Sequence, residues 1–186
     1  MRALVVYESM YGNTQVIAGN IADGLRGDYE VTLVPVAEAT AELVAGADLL
    51  VAGAPTHMHG MSSRSTRRMA AEAAAKDGSG LRTDPGADGP GMRDWLGDLG
   101  HRNGLAATFD TRINGVPAFT GRASRPIARL LKRHDYRLVA APQSFLVGSE
   151  HAARRRGRAG PPVGHDARRG EQDIPARACL RIAKAR

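Results

Sequence analysis

Two kinds of apolar block alternate along the chain. Short unbroken runs rich in valine, leucine and alanine have the pattern of strands buried on both faces of a sheet, and longer stretches with apolar residues three and four apart have the pattern of helices. Ala3–Tyr7 is the first short run. Thr14–Leu25 follows, with Val16, Ile17, Ile21 and Leu25 at mostly helical spacing and Gly27 as a stop. Glu30–Val36 predicts a second strand closed by Pro35, Val36–Ala45 a short helical segment, and Asp48–Ala52 a third strand that runs into Gly53-Ala54-Pro55. The alanine-rich stretch Ser63–Lys76 predicts a helix. Residues 78–91, rich in Gly, Asp and Pro, predict a mobile excursion ahead of a short helix around Asp94–Leu99. Leu105–Phe109 then reads as a fourth strand, Ser124–Arg133 as a helix with Pro126 near its first turn, and Tyr136–Val147 as a fifth strand interrupted at Pro142. Five strands interleaved with helices predict an α/β fold built on a doubly wound parallel sheet.

Composition divides the chain in two. The net charge of +7 suggests a polyanionic partner until its distribution is counted. Positions 1–150 hold 16 Lys and Arg against 16 Asp and Glu, whereas positions 151–186 hold 10 against 3. Residues 1–150 are therefore a neutral domain and residues 151–186 a basic tail. Arg, Ala, Gly and Pro make up 24 of the 36 tail residues. Such a segment buries too little apolar surface to offset chain entropy, so it is expected to be disordered. Its composition is also that of GC-rich coding DNA translated out of frame, which places a frameshift near Gly148–His151 as one reading. The others are a dispensable natural tail and a basic arm whose Arg154-Arg155-Arg156 and Arg168-Arg169 attract nucleic acid. The single cysteine, Cys179, forms no internal disulfide, and no apolar run approaches a signal core or a membrane span, so the expected compartment is the cytoplasm.

In a doubly wound sheet the ligand lies at the carboxyl ends of the strands, where strand order reverses. The loops to inspect are Glu8–Asn13, Ala54–Ser62 and Asp110–Gly121. The first carries hydroxyls at Ser9, Tyr11 and Thr14, an amide at Asn13, and backbone N–H groups freed by Gly12 where a helix begins. Those donors and the positive end of the helix dipole suit a phosphate dianion. The plainer alternative is that Asn13 or Thr14 only caps the helix. His57 and His59 in the second loop invite a metal reading, but no third ligand at convincing spacing accompanies them, and no metal is expected. No acid, base or nucleophile arrangement stands out, so no catalytic residue is assigned.

The stretch Tyr7-Glu8-Ser9-Met10-Tyr11-Gly12-Asn13-Thr14 resembles the phosphate loop of the flavodoxin family, a hydroxyl residue and two variable positions before Gly-Asn-Thr. The resemblance covers roughly residues 1–150. It implies a five-stranded sheet of order 2-1-3-4-5 and an FMN cofactor whose phosphate is held by Ser9, Met10, Tyr11, Gly12, Asn13 and Thr14. It further implies that Pro55, Thr56, His57, Met58, His59 and Gly60 wrap the flavin ring, and the third loop, in the position of the family's second ring-flanking loop, offers Asp110, Thr111, Arg112 or Phe119 to reach it. The second loop has no aromatic residue to stack on the ring, and His57 or Met58 would have to cover it. Near the third loop, Arg112 would favour a negatively charged reduced flavin. The family closes with an amphipathic helix, which the tail does not supply, so this helix is expected to be missing or replaced by the basic tail. The implied function is electron transfer through FMN, either as a carrier for a redox protein or as an oxidoreductase toward a small acceptor of quinone or porphyrin type. The alternative is a module of the same fold that has lost FMN and serves protein interaction. Nucleic acid enters only through the tail.

Overall fold

The computed structural model describes residues 1–57, 59–76, 83–84, 87, 89–113 and 121–147. Met58, Phe119, much of the 78–91 excursion and the whole 151–186 tail lie outside the described residues. In chain order the elements are β1 (Arg2–Tyr7), α1 (Asn13–Leu25), β2 (Glu30–Pro35), a 3-10 turn (Val36–Glu38), α2 (Ala41–Gly46), β3 (Leu49–Pro55), α3 (Arg64–Ala75) and α4 (Met92–Gly97). They continue as β4 (Gly104–Ile113), α5 (Ser124–Arg133), β5 (Tyr136–Leu138) and β6 (Gln143–Val147). The strands run parallel in the order β2-β1-β3-β4-β5, with β6 also paired to β4. This is the predicted doubly wound sheet. The fifth strand is present as two pieces, β5 and β6, parted at residues 139–142 around the predicted break.

The unbroken apolar runs are explained by burial on both faces. In β1, Ala3, Val5 and Tyr7 point toward Ile17, Ile21 and Leu25 of α1. Leu4 and Val6 point the other way, into a layer with Val44 of α2, Met92 and Leu96 of α4, and Ile127 and Leu131 of α5. Among the described residues α1 is the one helix on the first face, whereas three helices cover the second. Phe109 is fully buried on the α1 side, edge-on to Phe145 at a ring separation of 6.2 Å. A Cβ on Gly53 would fall 2.1 Å from the Phe109 ring, so the neighbouring strand admits that ring only with glycine there. At about 25 cal/mol per Å² of apolar surface, these two layers supply most of the favourable free energy of folding.

Two strands run further than their apolar runs indicate. β3 continues through Gly53, Ala54 and Pro55 because β1 pairs with it as far as Gly53 and β4 pairs with it to the end, Ala54 opposite Asp110 and Pro55 opposite Thr111. β4 continues to Ile113 because β6 pairs with its second half, from Phe109 opposite Gln143 to Ile113 opposite Val147. Asp110, Thr111 and Arg112 are consequently strand residues, not members of the expected third loop. No helix among the described residues is long and apolar enough to cross a membrane.

Candidate functional site

The order β2-β1-β3 places the chain reversal between β1 and β3, and the loops leaving these strands diverge to opposite faces. The first of them turns into α1 at Gly12, which has φ of +87° and ψ of −22°. Glycine adopts this left-handed conformation without the steric cost other residues meet. No side chain caps the helix. Asn13 stands at its first position, and the Thr14 hydroxyl is instead paired with the Thr111 hydroxyl at 2.8 Å in a buried contact. The first backbone hydrogen bond entering the turn is from the Val16 N–H to the Gly12 carbonyl, 3.0 Å. The N–H groups of Asn13, Thr14 and Gln15 precede that ladder and stand at the positive end of the helix dipole. Capping by Asn13 or Thr14 is therefore not what this helix start uses.

The other side chains expected there are distributed differently. Ser9 Oγ accepts from the Gly12 N–H at 3.2 Å, within the loop. The Tyr11 hydroxyl donates to the Ala70 carbonyl of α3 at 3.0 Å, and burial raises its pKa, so the phenol stays protonated for that bond. Tyr11 lines the cleft, together with Met10 and Thr14. The Gly12 N–H also meets the Asp84 carboxylate, Oδ2 at 3.0 Å, a contact across 72 residues that no sequence spacing announces.

On the other side of the cleft, Thr56 leaves β3 with its N–H bonded to the Thr111 carbonyl at 2.8 Å, and its hydroxyl accepts from the Ala123 N–H at 3.0 Å. His57 and Gly60 exchange both backbone hydrogen bonds, 2.8 and 2.9 Å, closing a tight turn in which His59 has φ of +73°. His59 then bridges to Gly121. A Cβ on Gly121 would lie 2.2 Å from the His59 carbonyl oxygen, and its own φ is +73°, so this joint between the second and third loops requires glycine. Burial lowers the pKa of His57, partly offset by the negative charge of Glu8, and the imidazole is neutral at pH 7.

A cleft of about 440 Å³ lies between these parts, lined by Met10, Tyr11, Thr14, Pro55, Thr56, His57, His59, Thr111, Arg112, Ile113 and Val147. The structure thus brings most of the expected ring-side residues to one place. It does not bring Asp110. That carboxylate has no exposed surface and accepts from the Ser124 N–H at 2.8 Å, the Ser124 hydroxyl at 2.5 Å and the Ser144 hydroxyl at 2.6 Å. It ties β4 to the start of α5 and to β6, which corrects its assignment to the cofactor. Ile113 and Val147 are cleft residues the sequence did not offer, since they join it only through the β4–β6 pairing.

A second polar network was also illegible. Glu8, buried at the end of β1, accepts from the Ser62 hydroxyl and from the Met92 N–H, the latter at 2.8 Å. Buried Arg67 of α3 donates to Ser62 Oγ at 3.2 Å and to Asp94 Oδ2 at 2.9 Å. Burial works to raise the Asp94 pKa, but the Arg67 hydrogen bond, the Gly91 N–H and the charges of Arg67 and Arg64 outweigh it and hold the carboxyl low. The network fixes the first loop, the second loop and α4 to one another.

The sheet and this cleft define a doubly wound α/β protein with a cleft at its switch point. Residues 5–91 match the family model described as Flavodoxin. Solved structures with the same fold include a flavodoxin from the domain Archaea, 15% identical, the alignment covering 98% of this chain and 94% of that one with a TM-score of 0.61. Oxidised Flavodoxin 1 from Bacillus cereus is 14% identical over 98% of this chain and 95% of its own, at 0.60. Flavodoxin 2 from the same organism is 21% identical over 81% and 87%, at 0.54. No curated protein matches the chain.

Proposed function

We propose that the chain is a cytoplasmic redox module that holds FMN in this cleft and passes electrons through it to a partner protein or a small acceptor. The observation that carries the reading is the uncapped first turn of α1, with Gly12 left-handed and the N–H groups of Asn13, Thr14 and Gln15 ahead of the helix ladder. That turn suits a phosphate dianion without a lysine. The adjoining cleft, about 440 Å³, lies within the range of roughly 300–1,000 Å³ usual for small-molecule sites. The residues present therefore fit both ends of FMN. Ser9–Thr14 would hold the phosphate, and Pro55–Gly60 with Thr111 would line the ring. Tyr11 supplies the aromatic surface that the second loop lacks, its ring fixed by the bond to Ala70. The bound flavin supplies the electron chemistry. The chain's own residues would orient it and set the charge around it, His57 as a neutral group and Arg112 as a cation at the cleft wall.

Titrating the full chain with FMN and following flavin fluorescence tests this directly. Saturable quenching at one flavin per chain is the expected result. Unquenched fluorescence would favour the other reading, a fold of this class that serves interaction alone, for which the absence of an aromatic residue in Pro55–Ser62 speaks.

A further inference from the structure

We propose that Asp84 is a built-in rival for the ligand's phosphate, so that this chain holds FMN less tightly than its first loop alone would allow. The inference rests on the FMN reading and adds a residue that sets the preference between phosphorylated and unphosphorylated flavin. Two contacts hold Asp84 against the loop, and a third closes a turn behind it. Its carboxylate Oδ2 accepts from the Gly12 N–H at 3.0 Å, its own N–H donates to the Met10 carbonyl at 2.9 Å, and the Ala87 N–H closes a turn on its carbonyl at 3.1 Å. The carboxylate thus sits on a backbone donor of the anion-receptive turn, beside the N–H groups of Asn13, Thr14 and Gln15.

Steric need does not explain the contact. A Cβ at Gly12 would lie 3.6 Å from Asp84 Oδ1, an ordinary separation, so glycine is there for its backbone angle and the acid approaches of its own accord. Nor does Asp84 face a cation alone. It shares a cavity of about 200 Å³ with Glu8, Glu38 and Tyr7 as well as Arg67, and Arg67 is already bonded to Ser62 and Asp94. The Gly12 amide is the donor its carboxylate is bonded to. A phosphate dianion arriving at the same turn needs that donor too. Either Asp84 leaves Gly12, or the phosphate settles over Asn13–Gln15 with a carboxylate beside it, and like charges at such short range oppose one another. A flavin without phosphate meets no such contest.

The test measures dissociation constants of FMN and riboflavin for the full chain and for Asp84→Asn and Asp84→Ala. Asparagine keeps an acceptor for Gly12 and removes the charge, and alanine removes both. The expected result is that FMN binds about tenfold tighter to Asp84→Asn, and at least as tightly again to Asp84→Ala, while riboflavin changes by less than about twofold. Equal changes for the two flavins, or weaker FMN binding, would overturn the proposal and make Asp84 a support for the loop. If neither flavin binds the wild-type chain, the FMN reading has failed, and thermal stabilisation by inorganic phosphate decides about Asp84. Greater stabilisation of Asp84→Asn than of wild type upholds the rivalry, and equal stabilisation ends it.

Discussion

His57 is half-buried at the cleft wall with its pKa held below the usual histidine value by burial. Because the folded state favours the neutral ring, the unfolded chain binds more protons between the two pKa values, and stability falls as pH drops below about 6.5 through the lowered folded value. Urea midpoints measured from pH 8 to pH 5 should therefore decline for wild type and decline less for His57→Gln. A matching slope in both proteins would show that another group carries the acid sensitivity. The place of this histidine in the loop after the third strand was legible, because it follows the apolar run ending at Ala52 and the turn residues Gly53-Ala54-Pro55. Its neutrality was not, since burial is a property of what folds over it. Asp110 is the converse. It reads as the start of a loop, since nothing in the local sequence says that residues 143–147 will pair there and that Ser124 and Ser144 will consume its oxygens.

Most helices and strands could be drawn from apolar spacing because the sheet is covered on both faces and its strands are correspondingly plain. Where the reading stopped short, at the ends of β3 and β4, the missing residues are Gly53, Ala54, Pro55, Asp110, Thr111, Arg112 and Ile113, mostly polar or turn-forming types kept in register by neighbouring strands. The helix α3 shows another limit. Its start is legible in Ser63 and Thr66, which cap it reciprocally. Its attachment is not, because only Arg67 and Ala70 of its twelve residues are buried and no apolar stripe announces a packing face. What holds it is the Tyr11–Ala70 bond and the Arg67 contacts to Ser62 and Asp94. Replacing Tyr11 by Phe should cost about 1 kcal/mol. In hydrogen exchange the amides of α3 should lose protection while those of β1 and β3 keep theirs. Uniform loss across the sheet would mean that α3 is coupled to the core more tightly than these few contacts indicate.

At the scale of the molecule the charge is the feature most easily misread. The chain is basic, but its excess of cations belongs to residues 151–186, and the domain that carries the cleft is balanced. A polyanion therefore has reason to bind the tail and none to bind the cleft. A chain ending at Glu150 should match the full chain in FMN affinity to within about twofold, and should lose the salt-sensitive retention on an anionic column that the ten tail cations confer on the full chain. Loss of FMN binding on truncation would make the tail part of the folded unit. Reading the coding DNA in its other frames bears on the same boundary, for an apolar helical continuation after Gly148 would identify the tail as a shifted frame.

The division of the last strand into β5 and β6 has a consequence for how the molecule tolerates change. Ala106 faces Leu138 and Phe109 faces Gln143, so the partner strand takes two more residues than β4 to cover the same span. Each half is anchored to β4 by its own ladder, and the slack at Val139–Pro142 is held by a bond from the Val139 N–H to the Ala106 carbonyl and one from the Gln143 side-chain amide to the Ala141 carbonyl. Chain can be added at Ala140-Ala141 without shifting the register of either half. This makes the gap the natural port for a loop, an epitope or a whole inserted domain, placed at the sheet's edge and leaving the first loop of the cleft untouched.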